Sequence, residues 1–217
     1  MKSTRRVAVV IISTWVTALA GTSQTIEFDS GGLKYRTQTK SGVTIMFAPL
    51  PSTVRSYSVL QVAVANGAQR PYTIRPEDFS FKRPDGTVVP ASPARQVVLE
   101  LIEKAGRNDV IRLVTIYEIG LYGMNRLGST NGYEQRRQAA FAEVSSTKIK
   151  AAAAASAIAF VQTQLAPGQS TDGAVFFASA GRPLGPGTLL VRTMSGTFEF
   201  DVSDEPVVGP LKTRPPA

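Results

Sequence analysis

Carboxylates carry whatever acid-base or metal chemistry is open to this chain, because its 217 residues include 16 Asp and Glu but no histidine and no cysteine. A Ser-His-Asp or Cys-His constellation cannot be assembled, and neither can a disulfide or a zinc site of the common Cys/His kind. Glycoside hydrolysis would need two carboxylates facing one cleft, and Glu100 with Glu118 is the best such pair, since both fall in segments of helical character. The opposing reading pairs Glu100 with Lys104 one turn on, and leaves Glu118 solvated or neutralised by an arginine. Calcium asks for about six or more converging oxygens. Glu77-Asp78 are extended neighbours whose side chains diverge, so they read as a solvated turn, and Asp201, Asp204 and Glu205 lack the glycine of a calcium loop. No catalytic residue, metal site or cofactor is expected.

The glycine-rich run Gly181-Arg182-Pro183-Leu184-Gly185-Pro186-Gly187 does not suit a phosphate, because its prolines lack amide donors and a strand follows; it reads as a hairpin loop. Arg136-Arg137 and Lys148 with Lys150 are small basic clusters that read as solvated helix faces and not as a track for nucleic acid. Tyr122, Arg126, Tyr133, Arg136 and Arg137 form the best candidate partner site, since tyrosine and arginine bury area while keeping a polar handle. Nearby Tyr117 reads as facing the helical core, and Gly123, Gly128 and Gly132 predict an exposed loop around the candidates.

The elements that must position these groups divide the chain into three. From Thr25 to about Ala91 the pattern has period two: Val43, Ile45 and Phe47, then Leu60, Val62 and Val64, then Phe79 and Phe81. Turns are predicted at Asn66-Gly67, which can take positive φ, at Pro71 and Pro76, and at Pro84-Asp85-Gly86. From Ser92 to Gln164 the period becomes helical. Val97, Val98, Leu101 and Ile102 form one stripe, Asn108 or Asp109 caps a helix from Val110 to about Tyr122, and a third helix is predicted over Tyr133 to Thr163 with a bend at Val144–Thr147. The run Ala151 to Ala155 permits close approach to the sheet or to sister helices. Strands return at Asp172–Ser179, Thr188–Thr193 and Thr197–Val202, the last two closed into a hairpin by Ser195-Gly196.

Both ends of the chain stand apart from this pattern. Lys2, Arg5 and Arg6, the apolar stretch Val7 to Val16 and the small residues Ala18-Leu19-Ala20 predict a signal peptide over residues 1–20, cut between Ala20 and Gly21. Its removal takes three of the 24 basic residues, so the formal charge falls from +8 to 21 less 16, or +5. That weakens the case for nucleic acid. Pro206, Pro210, Pro215 and Pro216 make 204–217 a proline-rich tail, expected to be extended or disordered.

The run Val62-Ala63-Val64-Ala65-Asn66, then Tyr72-Thr73-Ile74-Arg75-Pro76-Glu77-Asp78-Phe79 and Asp85-Gly86, resembles secreted bacterial immunoglobulin-like domains of unknown function. Leu165-Ala166-Pro167-Gly168-Gln169-Ser170, with Gly173 and Val175-Phe176-Phe177, is similar to their second half. The resemblance implies that Asn66 ends a core strand, that the Pro-Gly turn introduces a later one, and that the protein works in the cell envelope. The expected fold is mainly β with an α insertion: an antiparallel immunoglobulin-like sandwich over 21–91 and 165–203, interrupted by two or three helices over 92–164. The expected function is that of a non-enzymatic, exported (periplasmic or secreted) binding or accessory module whose partner is an envelope protein or polymer. Two alternatives differ in class: a carboxylate-dependent envelope hydrolase, and a structural protein tethered to the membrane by an uncleaved N-terminus. Membrane contact is expected only if that segment is retained.

Overall fold

The period-two segments form strands in a computed structural model that describes residues 24–30, 32–51, 53–113, 146–194 and 196–202. Residues 1–20, the proline-rich tail and the candidates Tyr122, Arg126, Tyr133, Arg136 and Arg137 lie outside the described residues. In chain order come β1 (Ile26–Ser30), β2 (Leu33–Lys40), β3 (Val43–Pro49), β4 (Tyr57–Asn66), β5 (Tyr72–Ile74), β6 (Phe79–Lys82) and β7 (Val88–Ser92). Helices α1 (Ala94–Lys104), α2 (helical over 107–113) and α3 (Thr147–Ile158) follow. The chain then closes with β8 (Thr163–Leu165), β9 (Ser170–Ala178), β10 (Gly187–Thr193) and β11 (Gly196–Val202).

Nine strands share one antiparallel sheet in the order β1-β2-β3-β4-β9-β7-β6-β10-β11, while β5 and β8 pair separately. The sheet curls into a half-barrel, and β7 makes the corner. Its Val88, Val89 and Pro90 pair with β6, whereas Ala91 and Ser92 pair with β9. Pro90, which has no N–H to give a ladder, sits where the strand changes partner. At the far side β11 approaches β2 without pairing. Gln38 Nε2 donates to the Glu199 carbonyl at 2.5 Å and Lys40 Nζ to the Thr197 carbonyl at 2.5 Å, so side chains satisfy that edge.

Two apolar layers result. Inside the curl, Val43, Ile45, Phe47, Leu60, Val62 and Val64 meet Phe79, Phe81, Phe177, Phe198 and Phe200. Phe47–Phe200 and Phe81–Phe177 contact edge to face, with ring centroids 5.0 and 6.4 Å apart. Outside, the helices cover β2, β3, β4 and β9. Ala48, Ala63 and Ala174 on the sheet meet Ala151, Ala152, Ala154 and Ala155 of α3, and α1 adds Val97 and Leu101. Small side chains on both surfaces let the α3 backbone lie close to the sheet, and α3 is apolar almost all round because it is covered on several sides. The alanine run therefore packs as the sequence suggests, while Ile102, placed on the buried stripe, is 44% exposed.

Several local expectations are corrected. The α3 helix stops at Ile158, five residues before Thr163, because the chain there turns to sheet contacts. Phe160 donates its N–H to the Ala174 carbonyl at 2.9 Å and sets its ring 5.5 Å from Phe79. Burial of that ring outweighs the local helix preference. Helix α2 is already formed at residue 107, and Asp109 is not its N-cap: its carboxylate reaches back to the Gly106 N–H at 2.8 Å, as the third residue of a capping box does. Neither Asn66 nor Gly67 takes a positive φ. Because β9 and β10 are not neighbours, the glycine-rich 181–187 run is a crossover between the two flanks of the sheet and not a hairpin loop. The hairpin at Thr193–Gly196 and the Asp85-Gly86 turn stand where expected. Among the described residues no helix is long and apolar enough to cross a membrane.

Candidate functional site

At one end of the sheet, two tight turns interlock under the helices. Val54 and Tyr57 exchange main-chain hydrogen bonds of 2.9 Å, which puts Arg55 and Ser56 at the tip of the turn entering β4. Beyond β9, Ser179 N–H donates to the Ser56 carbonyl at 2.8 Å and Arg182 N–H to the Ser179 carbonyl at 3.1 Å. Arg55 and Ala180 both have φ of 53°, a left-handed conformation that costs a non-glycine residue about 1–2 kcal/mol. The two turns hold each other in it: a Cβ at Gly181 would stand 2.9 Å from the Arg55 carbonyl oxygen. Backbone strain kept in place by its surroundings is a pointer to function.

The helices supply the charges. Ser56 Oγ donates to both oxygens of Glu100 on α1, at 3.0 and 3.1 Å. Arg55 Nη1 lies 3.5 Å from Asp109 Oδ2 on α2, and Arg112 Nη1 donates to the Thr53 carbonyl at 3.1 Å. Beneath them, buried Ser58 donates to the Arg182 carbonyl at 2.6 Å. Arg55, Ser56, Glu100, Lys104 and Ala180 line a shallow, open depression. It offers two cations, a hydroxyl and a carboxylate to a polar partner.

Tyr57 lies under Glu100, and burial, reinforced by the hydrogen bond and the charge of that carboxylate, pushes its phenol up to about 12. Tyr35, on the same face of the sheet, is also pushed up to about 12, by burial first and the Asp172 charge second. Among the described residues its hydroxyl has no hydrogen-bond partner. An ultraviolet titration of the folded protein should therefore show two tyrosinates forming near pH 12, each abolished by its own Phe substitution, with Glu100→Gln moving the Tyr57 step down. Both folded-state values are raised, so the associated stability is complete below about pH 10 and declines between about 10 and 12. Tyr35→Phe removes an unpaired buried hydroxyl and should raise stability by about 1 kcal/mol.

The remaining sequence candidates are dispersed. Glu100 turns to Ser56 instead of Lys104, and Glu118 lies outside the described residues. Asp78 accepts the Arg75 N–H at 2.8 Å and closes a turn; burial raises its pKa, against the lowering effect of Arg75. Asp201 accepts from Thr188 Oγ1 at 3.3 Å, and Asp204 and Glu205 lie outside the described residues. Lys148 Nζ donates to the Glu103 carbonyl at 2.7 Å, linking α3 to α1. No group of three or more acidic residues converges among the described residues. Sequence reasoning missed Arg55, Ser56 and Ala180, and took Lys104 only as a partner for Glu100. The turn Val54-Arg55-Ser56-Tyr57 carries neither glycine nor proline, and only Gly181 signalled a tight passage nearby.

No protein-family model matches the chain, and no curated protein matches it. Among solved structures, the crystal structure of the yjhA protein from Bacillus subtilis is similar at 8% identity, covering 82% of this chain and 95% of that one, with a TM-score of 0.34.

Proposed function

We propose that this chain is a non-enzymatic, exported module that binds a partner in the cell envelope, and that its scaffold is an immunoglobulin-like sandwich with a helical insertion. The two flanks of the curled sheet, β1-β2-β3-β4-β9 and β6-β10-β11, enclose one aromatic core and support the sandwich reading. The basic, apolar and small-residue run over 1–20 supports export.

The observation that carries the binding role is the open depression around Arg55, Ser56, Glu100 and Lys104, framed by two left-handed non-glycine residues. Charged groups held on a hydrogen-bonded turn and on the end of α1, open to solvent, suit recognition of a polar surface, since little freedom is lost when the partner arrives. The test is crosslinking and capture from envelope extracts with the exported protein as bait, after its mass has been read. A start at Gly21 and a partner lost on the double reversal Arg55→Glu with Lys104→Glu are the expected results. Retention of residues 1–20, or no saturable partner for the wild type, would count against the proposal. Replacement of 122–137 in parallel reports whether Tyr122, Arg126, Tyr133, Arg136 and Arg137 contribute.

A further inference from the structure

We propose that the outer edge of β1 receives an extended peptide segment in which apolar and basic residues alternate, adding a strand to the sheet. This rests on the binding-module reading and names the chemistry of a partner. Strand β1 begins the sheet, and among the described residues β2 is its only strand neighbour. Two residues separate Ser30 from its partner Leu33. In such a hairpin the flanking residues exchange both main-chain hydrogen bonds, and bonded pairs then alternate along the ladder. Ser30–Leu33, Phe28–Tyr35 and Ile26–Thr37 are thus the bonded pairs, and Glu27 and Asp29 turn their N–H and C=O groups away from β2.

The side chains define what such a strand should carry. Ile26 and Phe28 are 58% and 39% exposed on one face, where Phe28 stacks on buried Tyr35 at 5.4 Å. An apolar residue beside them would extend the same row. On the other face stand Glu27 and Asp29. Glu27 meets Arg36 of β2 at 2.6 Å and remains 46% exposed, so a cation on the incoming strand would flank that carboxylate from its open side. A second copy of β1 is a poor occupant, because antiparallel self-pairing would set Glu27 and Asp29 against their own kind. The opposite edge of the sheet is already blocked, since Lys40 and Gln38 hold the outward carbonyls of Thr197 and Glu199. Of the two edges, β1 presents both main-chain groups and a matching side-chain pattern, which are the requirements of strand addition.

The experiment is a fluorescence anisotropy titration of the full chain with a labelled heptapeptide of alternating lysine and valine, beside one with glutamate in place of lysine. The lysine peptide should bind saturably and at least tenfold more tightly than the glutamate peptide. Asp29→Pro removes an outward N–H while leaving the β2 ladder intact, and should weaken binding at least tenfold with an unchanged circular dichroism spectrum. If that variant does not fold, Asp29→Lys should give the same loss by repulsion. The Glu27 and Asp29 amides should exchange slowly in the complex and rapidly in the protein alone. Equal binding of both peptides, or binding indifferent to both Asp29 variants, overturns the proposal. So does slow exchange in the protein alone, which would mean that the chain itself occupies the edge, and so does self-association abolished by Asp29→Pro, which would make a second copy the occupant. An envelope partner captured equally by wild type and Asp29→Pro overturns strand addition alone; peptide pairing without any such partner overturns only the wider reading.

Discussion

Gly173→Ala should cost about 3 kcal/mol or more, lowering the melting temperature by roughly 6–12 °C for a domain of this size, or should prevent folding altogether. A Cβ at Gly173 would lie 2.7 Å from Phe160 Cα and 2.8 Å from its nitrogen, and both are backbone atoms. The obstructing segment cannot move aside cheaply. Its N–H is bonded to Ala174, and the Phe160 ring is seated against Phe79 in the inner core. Gly168→Ala is the informative control, because Gly168 has φ of +80° and a methyl group there would meet nothing within 4 Å. It should lose only the left-handed strain, about 1 kcal/mol. Urea unfolding of both variants decides the matter: comparable losses would show that the close passage of the chain across β9 contributes nothing special.

A crossing of this kind leaves little trace in the linear pattern. Strands β3, β4 and β11 are legible because large apolar residues recur at every second position, as Val43, Ile45 and Phe47, then Leu60, Val62 and Val64, then Phe198, Phe200 and Val202. The three-residue strands β5 and β8 are not, since each is defined only by a partner about 90 residues away and is too short for a period to register. The period of β4 picks out Leu60, Val62 and Val64 and leaves Ala63 unmarked. Ala63 is instead buried under α3, which makes β4 a central strand covered on both faces. The same difficulty affects Gln38, a buried polar residue whose amide donates to the Glu199 carbonyl across the seam with β11.

Site residues are harder to read for the same physical reason. Ser56 meets Glu100 across 44 residues of chain, and Ser58 meets Arg182 across 124. No local spacing rule spans such distances. The left-handed Arg55 has no compositional mark either, because its conformation is imposed by the neighbouring turn and not chosen by its side chain. What could be read in advance is the chemistry left out: without histidine or cysteine, charged groups at this end of the sheet had to be arginine, lysine and carboxylate.

Asn66→Asp is the second substitution with a large expected effect, about 4 kcal/mol at neutral pH. Asn66 ends β4 and is 1% exposed, yet each of its polar groups is used. Nδ2 donates to the carbonyls of Arg70 at 2.8 Å and Leu165 at 3.0 Å, Oδ1 accepts from Ala68 N–H at 3.0 Å, and its main chain bonds Gly168 and Gln169. One side chain thereby ties the loop after β4 to the Pro167-Gly168 turn before β9, a junction consistent with the asparagine and Pro-Gly pattern in the sequence. Aspartate replaces the double donor with an oxygen facing two carbonyls. Its buried carboxylate should hold a proton more strongly than in the unfolded chain, so the folded-state pKa rises. Part of the lost stability therefore returns below about pH 4, where both states are protonated and one donor is restored, and it disappears again as pH rises through the folded value. Asn66→Ala leaves the same carbonyls unpaired without adding charge, and should lose about 2–3 kcal/mol with no pH dependence of its own. Urea unfolding of the three proteins at pH 4 and 7 separates the two effects. Equal pH profiles for the Asp and Ala variants would mean that water reaches the junction and that the buried hydrogen bonds are not what holds the two turns together.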